Sequence, residues 1–457
     1  MYRDYLWISA NDLTIELAQL QDEGKDPPPE LEGRLRALAA GGDDYLRTAA
    51  GQAEAGALLD ETIALPTRAD YEFSEPSDLE EIRRQRPTSP ALPPFAGDAG
   101  LLHDKVRGAW LGRVYGCYLG KPVEGLRRRP GETFILEGFL KQTGQWPLPA
   151  YFSLDYPDDL LAAFGLSRTW RAGPPFMPED DDTNYTLLAF SLLQQKGRDF
   201  SPADVAAAWL VNLPIERTYT AERVAYRNFC LNLSPPASAG FRNVYREWIG
   251  AQIRADFFGY AAPGNPELAA ELAWRDACIS HIKNGIYGAM WVAGMLAAAY
   301  VSSDIELILR AGLAQAPACC RLTAAIEQVF SWRKHGLSFA AVVANLHQLW
   351  DENNPHHWCH TISNAQVCAA ALLWSEGDYA TAISRAVLAG FDTDCNGATV
   401  GSVLGMMLGE QALPLSLMAR LNDRLRSGVQ GFADCSIREV GSQMARLVEE
   451  LTGRNAP

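Results

Sequence analysis

Two runs of glycine at four-residue spacing constrain this chain more than any other feature: Gly108, Gly112, Gly116 and Gly120, then Gly397, Gly401, Gly405 and Gly409. Glycine inside a helix costs about 1 kcal/mol relative to alanine. Repeating it on one helical face is sustained only where a second backbone must come close. The neighbours Ala109, Trp110, Leu111, Ala398, Val400, Val403 and Leu404 are apolar, which favours tightly packed helices over a glycine-rich coil. From Leu101 onward Ala, Leu and Gly recur at helical spacing with few alternating Val/Ile/Thr runs, so the expected fold class is all-α.

The 457 residues are 48% hydrophobic and 21% charged, enough for a large core, and global disorder is excluded. A formal charge of −15 speaks against a basic nucleic-acid-binding face as the main function, and nucleic acid is expected at most as a modified substrate. Such an acidic protein needs cations or helix N-termini to hold an anionic ligand. The nine cysteines are scattered without a CxxC pair, which indicates neither a disulfide framework nor a zinc ribbon. The first residues, MYRDYLWISANDLTIELAQL, lack a basic region and a small-residue cleavage site. The uncharged run Asn284 to Ser303 is long enough to span a bilayer, yet it is rich in Ala and Gly and begins polar. A buried core helix is expected there, in a cytoplasmic protein with no membrane partner. The pattern leaves the oligomeric state open.

Three regions are expected. Residues 1–86 read as a helical extension: Asn11-Asp12 caps a helix through Gln21, and Glu30 to Ala40 and Asp44 to Leu59 follow as amphipathic helices. Residues 87–100, PTSPALPPFAGDAG, read as a proline-rich linker or strap. Residues 101–457 form the main domain.

Two acidic clusters each open an Ala/Gly-rich or apolar helix. Glu179-Asp180-Asp181-Asp182-Thr183-Asn184 precedes YTLLAFSLL, and Gly390-Phe391-Asp392-Thr393-Asp394-Cys395-Asn396-Gly397 leads into the second glycine run. Capping explains one or two such acids; mutual repulsion makes more of them costly unless a hard cation such as Mg²⁺ or Ca²⁺ collects their oxygens. The first glycine run ends at Lys121-Pro122 and delivers Glu124 just beyond, and Asn284-Gly285 at a helix start offers N–H groups to an anion.

In order, GKPVEG, DDDT, NGIYGAM and GFDTDCNGA resemble the signatures of the ADP-ribosylglycohydrolase family, over about residues 103 to 410. The late motif and its order relative to DDDT are the specific part. The resemblance implies an orthogonal helical bundle with two Mg²⁺ ions, or Mn²⁺, at the base of a cleft for ADP-ribose or an ADP-ribosylated substrate. It implies metal-binding roles for Asp180, Asp181, Asp182, Asp392 and Asp394. Glu124, Asp392 and Asp394 become the catalytic candidates, and Asn284, Gly285 and Gly288 contact ribose or phosphates. Residues 1–100 match nothing in the family's core. Asp180 stands where the family has Ser or Thr, and Cys395 where it has a threonine ligand. A thiol is a soft donor and Mg²⁺ a hard ion, so Asn396 or water fills that place or a softer ion such as Mn²⁺ or Zn²⁺ is bound.

His356-His357-Trp358-Cys359-His360 is too short to close a tetrahedral zinc site, and His360 is taken as a pocket-wall, substrate-side residue. Arg254 is a candidate partner for a phosphate, beside the alternative of a surface salt bridge. Tyr287, Trp291 and Trp358 are candidates to stack on a base. Three functional readings follow: release of ADP-ribose from an acceptor by hydrolysis, hydrolysis of another ribosylated small molecule or nucleoside, and an ADP-ribose-binding module without turnover.

Overall fold

The computed structural model describes residues 7–127, 134–147, 153–166 and 174–453, and its described part is all-α apart from one two-stranded ribbon. The elements that position the site are α1 (Ala10–Asp22), α2 (Pro29–Ala40), α3 (Ala49–Ile63), α4 (Ala99–Gly120), α5 (Asp181–Lys196), α6 (Lys283–Ala299), α7 (Thr361–Leu373), α8 (Thr393–Leu408) and α9 (Ile437–Leu451). The ribbon pairs β1 (Arg424–Arg426) antiparallel with β2 (Asp434–Ser436), Leu425 facing Cys435.

The two glycine runs meet face to face. Helices α4 and α8 lie antiparallel: Gly108 faces Gly405, Gly112 faces Gly401, Gly116 faces Gly397 and Gly120 faces Thr393. A Cβ built on Gly112 would stand 2.2 Å from the Gly401 carbonyl oxygen, and one on Gly116 2.0 Å from that of Gly397. The packing is backbone on backbone, at a separation where Cα–H groups reach carbonyl oxygens of the other helix. Tyr379 donates its hydroxyl to the Gly112 carbonyl at 2.8 Å and closes the seam from the side. The antiparallel sense carries the C-terminal end of α4 to the N-terminal end of α8.

Helix α6, the uncharged run, is buried from Asn284 through Ala299 and packs against Pro266–Ala277, Ile305–Leu313 and α8. No helix among the described residues is long and apolar enough to cross a membrane. The cysteines are free thiols, Cys117, Cys278, Cys320, Cys359, Cys368 and Cys395 being buried.

The extension departs from the sequence expectation in detail. Ser9, not Asn11, caps α1, in a capping box with Asp12. The third expected helix breaks at Arg47-Thr48, where Thr48 caps α3. Residues 87–97 carry no helix, and α4 starts at Ala99 behind Asp98 as its cap. Leu13, Leu17, Leu31, Leu35, Leu58 and Leu59 share one apolar cluster with Val244, Tyr245, Trp248, Ile249, Cys359 and Cys395 of the main region. A row of buried ion pairs runs along the same seam. Arg246 meets Glu16 at 2.6 Å and Glu23 at 2.9 Å, and Arg321 meets Glu75 at 2.8 Å and Glu247 at 2.7 Å.

Gly116→Ala forces the α4–α8 backbones apart and is expected to cost at least about 1–3 kcal/mol in urea unfolding. Gly33→Ala on the exposed face of α2 meets nothing within 4 Å and is expected to be neutral or stabilising by about 0.5–1 kcal/mol. Burial alone would raise the Glu23 carboxyl, but Arg246, with Lys283 and Lys25, holds it well below its ordinary value of 4.5. A carboxyl lower in the folded than in the unfolded chain stabilises fully above the unfolded value and progressively less as pH falls toward the folded one. Thermal melts should therefore show stability declining as pH drops below about 4.5, with a shallower decline in Glu23→Gln.

Candidate active site

Three chain segments converge where α4 ends. Lys121 follows Gly120 directly, and the Thr393 hydroxyl donates to the Gly120 carbonyl at 2.9 Å, which ties the start of α8 to the end of α4. Asp392 is the N-cap residue of α8, yet its side chain caps nothing. Capping therefore does not account for it. Its turn is strained: Gly390 and Phe391 both have positive φ, 86° and 59°. Phe391 is held there by Glu352, which accepts its N–H at 3.0 Å, and by the His347 ring stacked 4.7 Å away. Asn364 on α7 accepts from the Asp392 N–H at 3.1 Å and the Asn396 amide at 2.8 Å, fixing the turn against α7.

The third segment is the start of α5. Asp180 does act as its cap, accepting from the Asp182 N–H at 2.9 Å. Asp182 is held from α4 by Arg113, fully buried, which reaches its carboxylate at 3.0 Å and its carbonyl at 2.8 Å. The same guanidinium meets Thr186 at 2.8 Å and Asp256 at 2.9 Å. Asp182 is thus an ion-pair partner of Arg113 as well as a member of the acidic cluster.

Around these groups lies a cavity of about 380 Å³ that includes Lys121, Glu124, Asp180, Asp181, Asp392, Asp394 and Cys395, with Tyr219, Trp248 and Trp358 on its sides. Among its described lining residues carboxylates outnumber cationic side chains seven to two. The consequence is visible in their protonation. Burial, then Asp180, pushes the Asp181 carboxyl well above the usual range, and burial, then Asp394 and Glu124, does the same to Asp392. Burial and then Asp394 raise Glu124 to about 7 against the pull of Lys121. Asp180 alone of these is held low: burial opposes it, but Lys121 at 2.7 Å prevails.

The arrangement fits a divalent cation. Asp394 Oδ1 is buried and faces no hydrogen-bond donor. Asp392, Asp394 and Cys395 bring ligand atoms within 4.8 Å of one another, and so do Cys117, Asp180, Asp182 and Asp394. Carboxyls crowded until they hold protons are the groups a cation relieves. Each cluster also contains one thiol, a donor for soft rather than hard ions.

The other expected residues stand elsewhere. Asn284 is saturated within the protein: its amide donates to Glu247 and Glu75, each at 2.8 Å, and its side-chain carbonyl accepts the Leu322 N–H at 3.0 Å. Gly285 and Gly288 pack against the Arg246 carbonyl and against Thr361 and Gln252. Arg254 is buried, not a surface ion pair. It meets Glu222 at 2.6 Å, Asp276 and Ser280, and it lies behind Glu222, which lines the cavity. His360 turns toward the extension, with Asp22 at 3.5 Å from its Nε2. His356 reaches the same carboxylate at 2.9 Å. Both Nδ1 atoms already accept N–H groups, from Ile362 and Trp248, which puts the ring proton on Nε2; His356 donates it to Asp22, while His360 Nε2 has no hydrogen-bond partner. Of the stacking candidates, Trp358 lines the cavity, whereas Tyr287 and Trp291 are core.

Sequence reasoning passed over Lys121, Arg113, Cys117 and Glu222. A signal existed for Arg113, the lone charge between Gly108 and Gly120, and for Lys121, three residues before Glu124. Glu222 lies in a segment without a motif.

The ADP-ribosylglycohydrolase family matches residues 98–455 of this chain. A solved structure described as an ADP-ribosylglycohydrolase-related protein complex aligns at 19% identity over 77% of this chain and 99% of its own, with a TM-score of 0.45. No curated protein matches.

Removing Arg113 would leave Asp182 and Asp256 as buried carboxylates without a counter-charge. Arg113→Met is expected to cost about 3–5 kcal/mol in urea unfolding, with Arg113→Lys falling between it and the wild type.

Proposed function

Because the chain belongs to the ADP-ribosylglycohydrolase family, a family of hydrolases, we propose that it is a divalent-cation-dependent enzyme that hydrolyses the glycosidic bond between ADP-ribose and an acceptor. The observation that supports this reading best is the buried, donor-free Asp394 Oδ1 beside Asp392 in a cavity that also holds Glu124. Asp181, Asp392 and Asp394 are the residues that would hold Mg²⁺ or Mn²⁺, with Asp180, Asp182 and Cys395 around them. When bound, such an ion supplies Lewis acidity and a template for ribose hydroxyls and water.

The chain's own groups do the rest. Loss of the acceptor from the anomeric carbon builds oxocarbenium character on ribose, and the departing atom needs a proton. Glu124, raised to about 7, still carries one near neutrality and delivers it from its Oε atoms to the acceptor. With a cation held beside it, Asp392 would give up the proton that crowding imposes on it, and its carboxylate would then take the proton of the attacking water. Cys359 lies 3.5 Å from Asp392 Oδ2 and orients that group. Trp358 and Tyr219 offer flat faces to the adenine, and Arg217, ion-paired to Glu179 at 2.8 Å, offers a cation to the diphosphate.

The test is release of free ADP-ribose from peptides ADP-ribosylated on arginine or on serine, with Mg²⁺ and with a chelator. Turnover is expected with Mg²⁺ and not with chelator, and Asp392→Asn and Glu124→Gln are each expected to lower kcat by about 10²–10⁴. Cleavage of simple N-ribosides alone would replace the substrate assignment. Tight ADP-ribose binding without turnover of any linkage would make the protein a binding module.

A further inference from the structure

Lys121 occupies the middle of the acidic cluster in a way that bears on how many ions it holds. Its Nζ lies 2.7 Å from Asp180 Oδ2, 3.0 Å from Asp394 Oδ2 and 2.8 Å from Glu124 Oε2. The ammonium donates to Glu124 and Asp394 and stands as a bare charge beside Asp180. The residue is 9% exposed, and its backbone cannot withdraw: the preceding Gly120 is pinned to Thr393, and Pro122 follows. Asp180 and Asp394 belong to one group of possible ligands with Cys117 and Asp182, and Asp394 belongs also to a second with Asp392 and Cys395. Asp394 Oδ2 is taken by Lys121, whereas its Oδ1 is buried without a hydrogen-bond partner. The two oxygens of one aspartate thus have opposite fates.

Resting on the reading that this centre holds a divalent cation, we propose that Lys121 takes the place of one of two ions, so that the protein binds a single divalent ion on the Asp392–Asp394–Cys395 side. A second ion bridging Asp180 and Asp394 would have to sit within a few ångströms of the ammonium, a like-charge approach in buried surroundings. Charge alone does not set the number of ions, because Arg113 is shared between Asp182 and Asp256 and Lys121 between Asp180, Asp394 and Glu124; the place that Lys121 occupies does. The lysine keeps its charge where it is and exchanges with nothing in solution.

The experiment is Mn²⁺ titration of the metal-stripped full chain by calorimetry, with electron paramagnetic resonance to detect coupling between neighbouring Mn²⁺ ions. The wild type is expected to bind one Mn²⁺ without a coupled spectrum. Lys121→Met is expected to bind two with a coupled spectrum, and Lys121→Arg, which keeps the charge, to stay at one. Asp180→Asn in the Lys121→Met background should remove the second ion again. Two ions on the wild type would by themselves overturn this inference and leave the hydrolase reading standing, whether or not Lys121→Met folds. No Mn²⁺ on folded wild type and folded Lys121→Met would overturn both.

Discussion

The contact between α4 and α8 decides where everything else can be. Because Gly108, Gly112, Gly116 and Gly120 each face a backbone carbonyl of α8, the two backbones are in direct contact and the pairing has one register. A shift by one residue would place side chains such as Ala109 or Ala398 where only hydrogen fits. That register puts Gly120 opposite Thr393 and so brings Lys121 and Glu124 against Asp392 and Asp394. Helix packing along the seam thus assembles one half of the centre, and the start of α5 adds Asp180, Asp181 and Asp182 as the other.

A second layer of constraint is electrostatic. Burying many carboxylates is tolerated only where each has a specific counterpart. Arg113 serves Asp182 and Asp256, Arg254 serves Glu222 and Asp276, Arg246 serves Glu16 and Glu23, and Lys121 serves Asp180, Asp394 and Glu124. Asp181 and Asp392 stand apart, for their neighbours are mostly other acids and their carboxyls are driven to hold protons. Asp394 lies between the two classes, with Oδ2 on Lys121 and Oδ1 without a partner.

How much of this was legible depends on the range of the interaction. The glycine period names its own cause, since nothing but close backbone approach sustains it, and the helical class follows from it. DDDT and GFDTDCNGA were readable as ligands because too many acids stood together for capping. The structure divides them further: Asp180 caps, and Asp392 does not. What could not be read was pairing across long separations. Asn284 resembled an anion contact, but its amide is satisfied by Glu75, 209 positions away, and by Glu247. Arg254 and His360 carried the right chemistry for a phosphate or a pocket wall, but their partners, Asp276 and Asp22, are fixed only by the tertiary fold. Local sequence gives no account of which partner a long charged side chain will find.

The seam between the extension and the main region has a consequence for truncation. The family match begins at residue 98, yet Arg246 and Arg321, within the matched part, have carboxylate partners in Glu16, Glu23 and Glu75 outside it. Without the extension those guanidiniums would be left beside apolar surface that α1 now covers. Without the arginines the extension would present uncompensated acids to the same surface. A cut at the start of the family match would therefore pass through paired charges and strand both sets of partners.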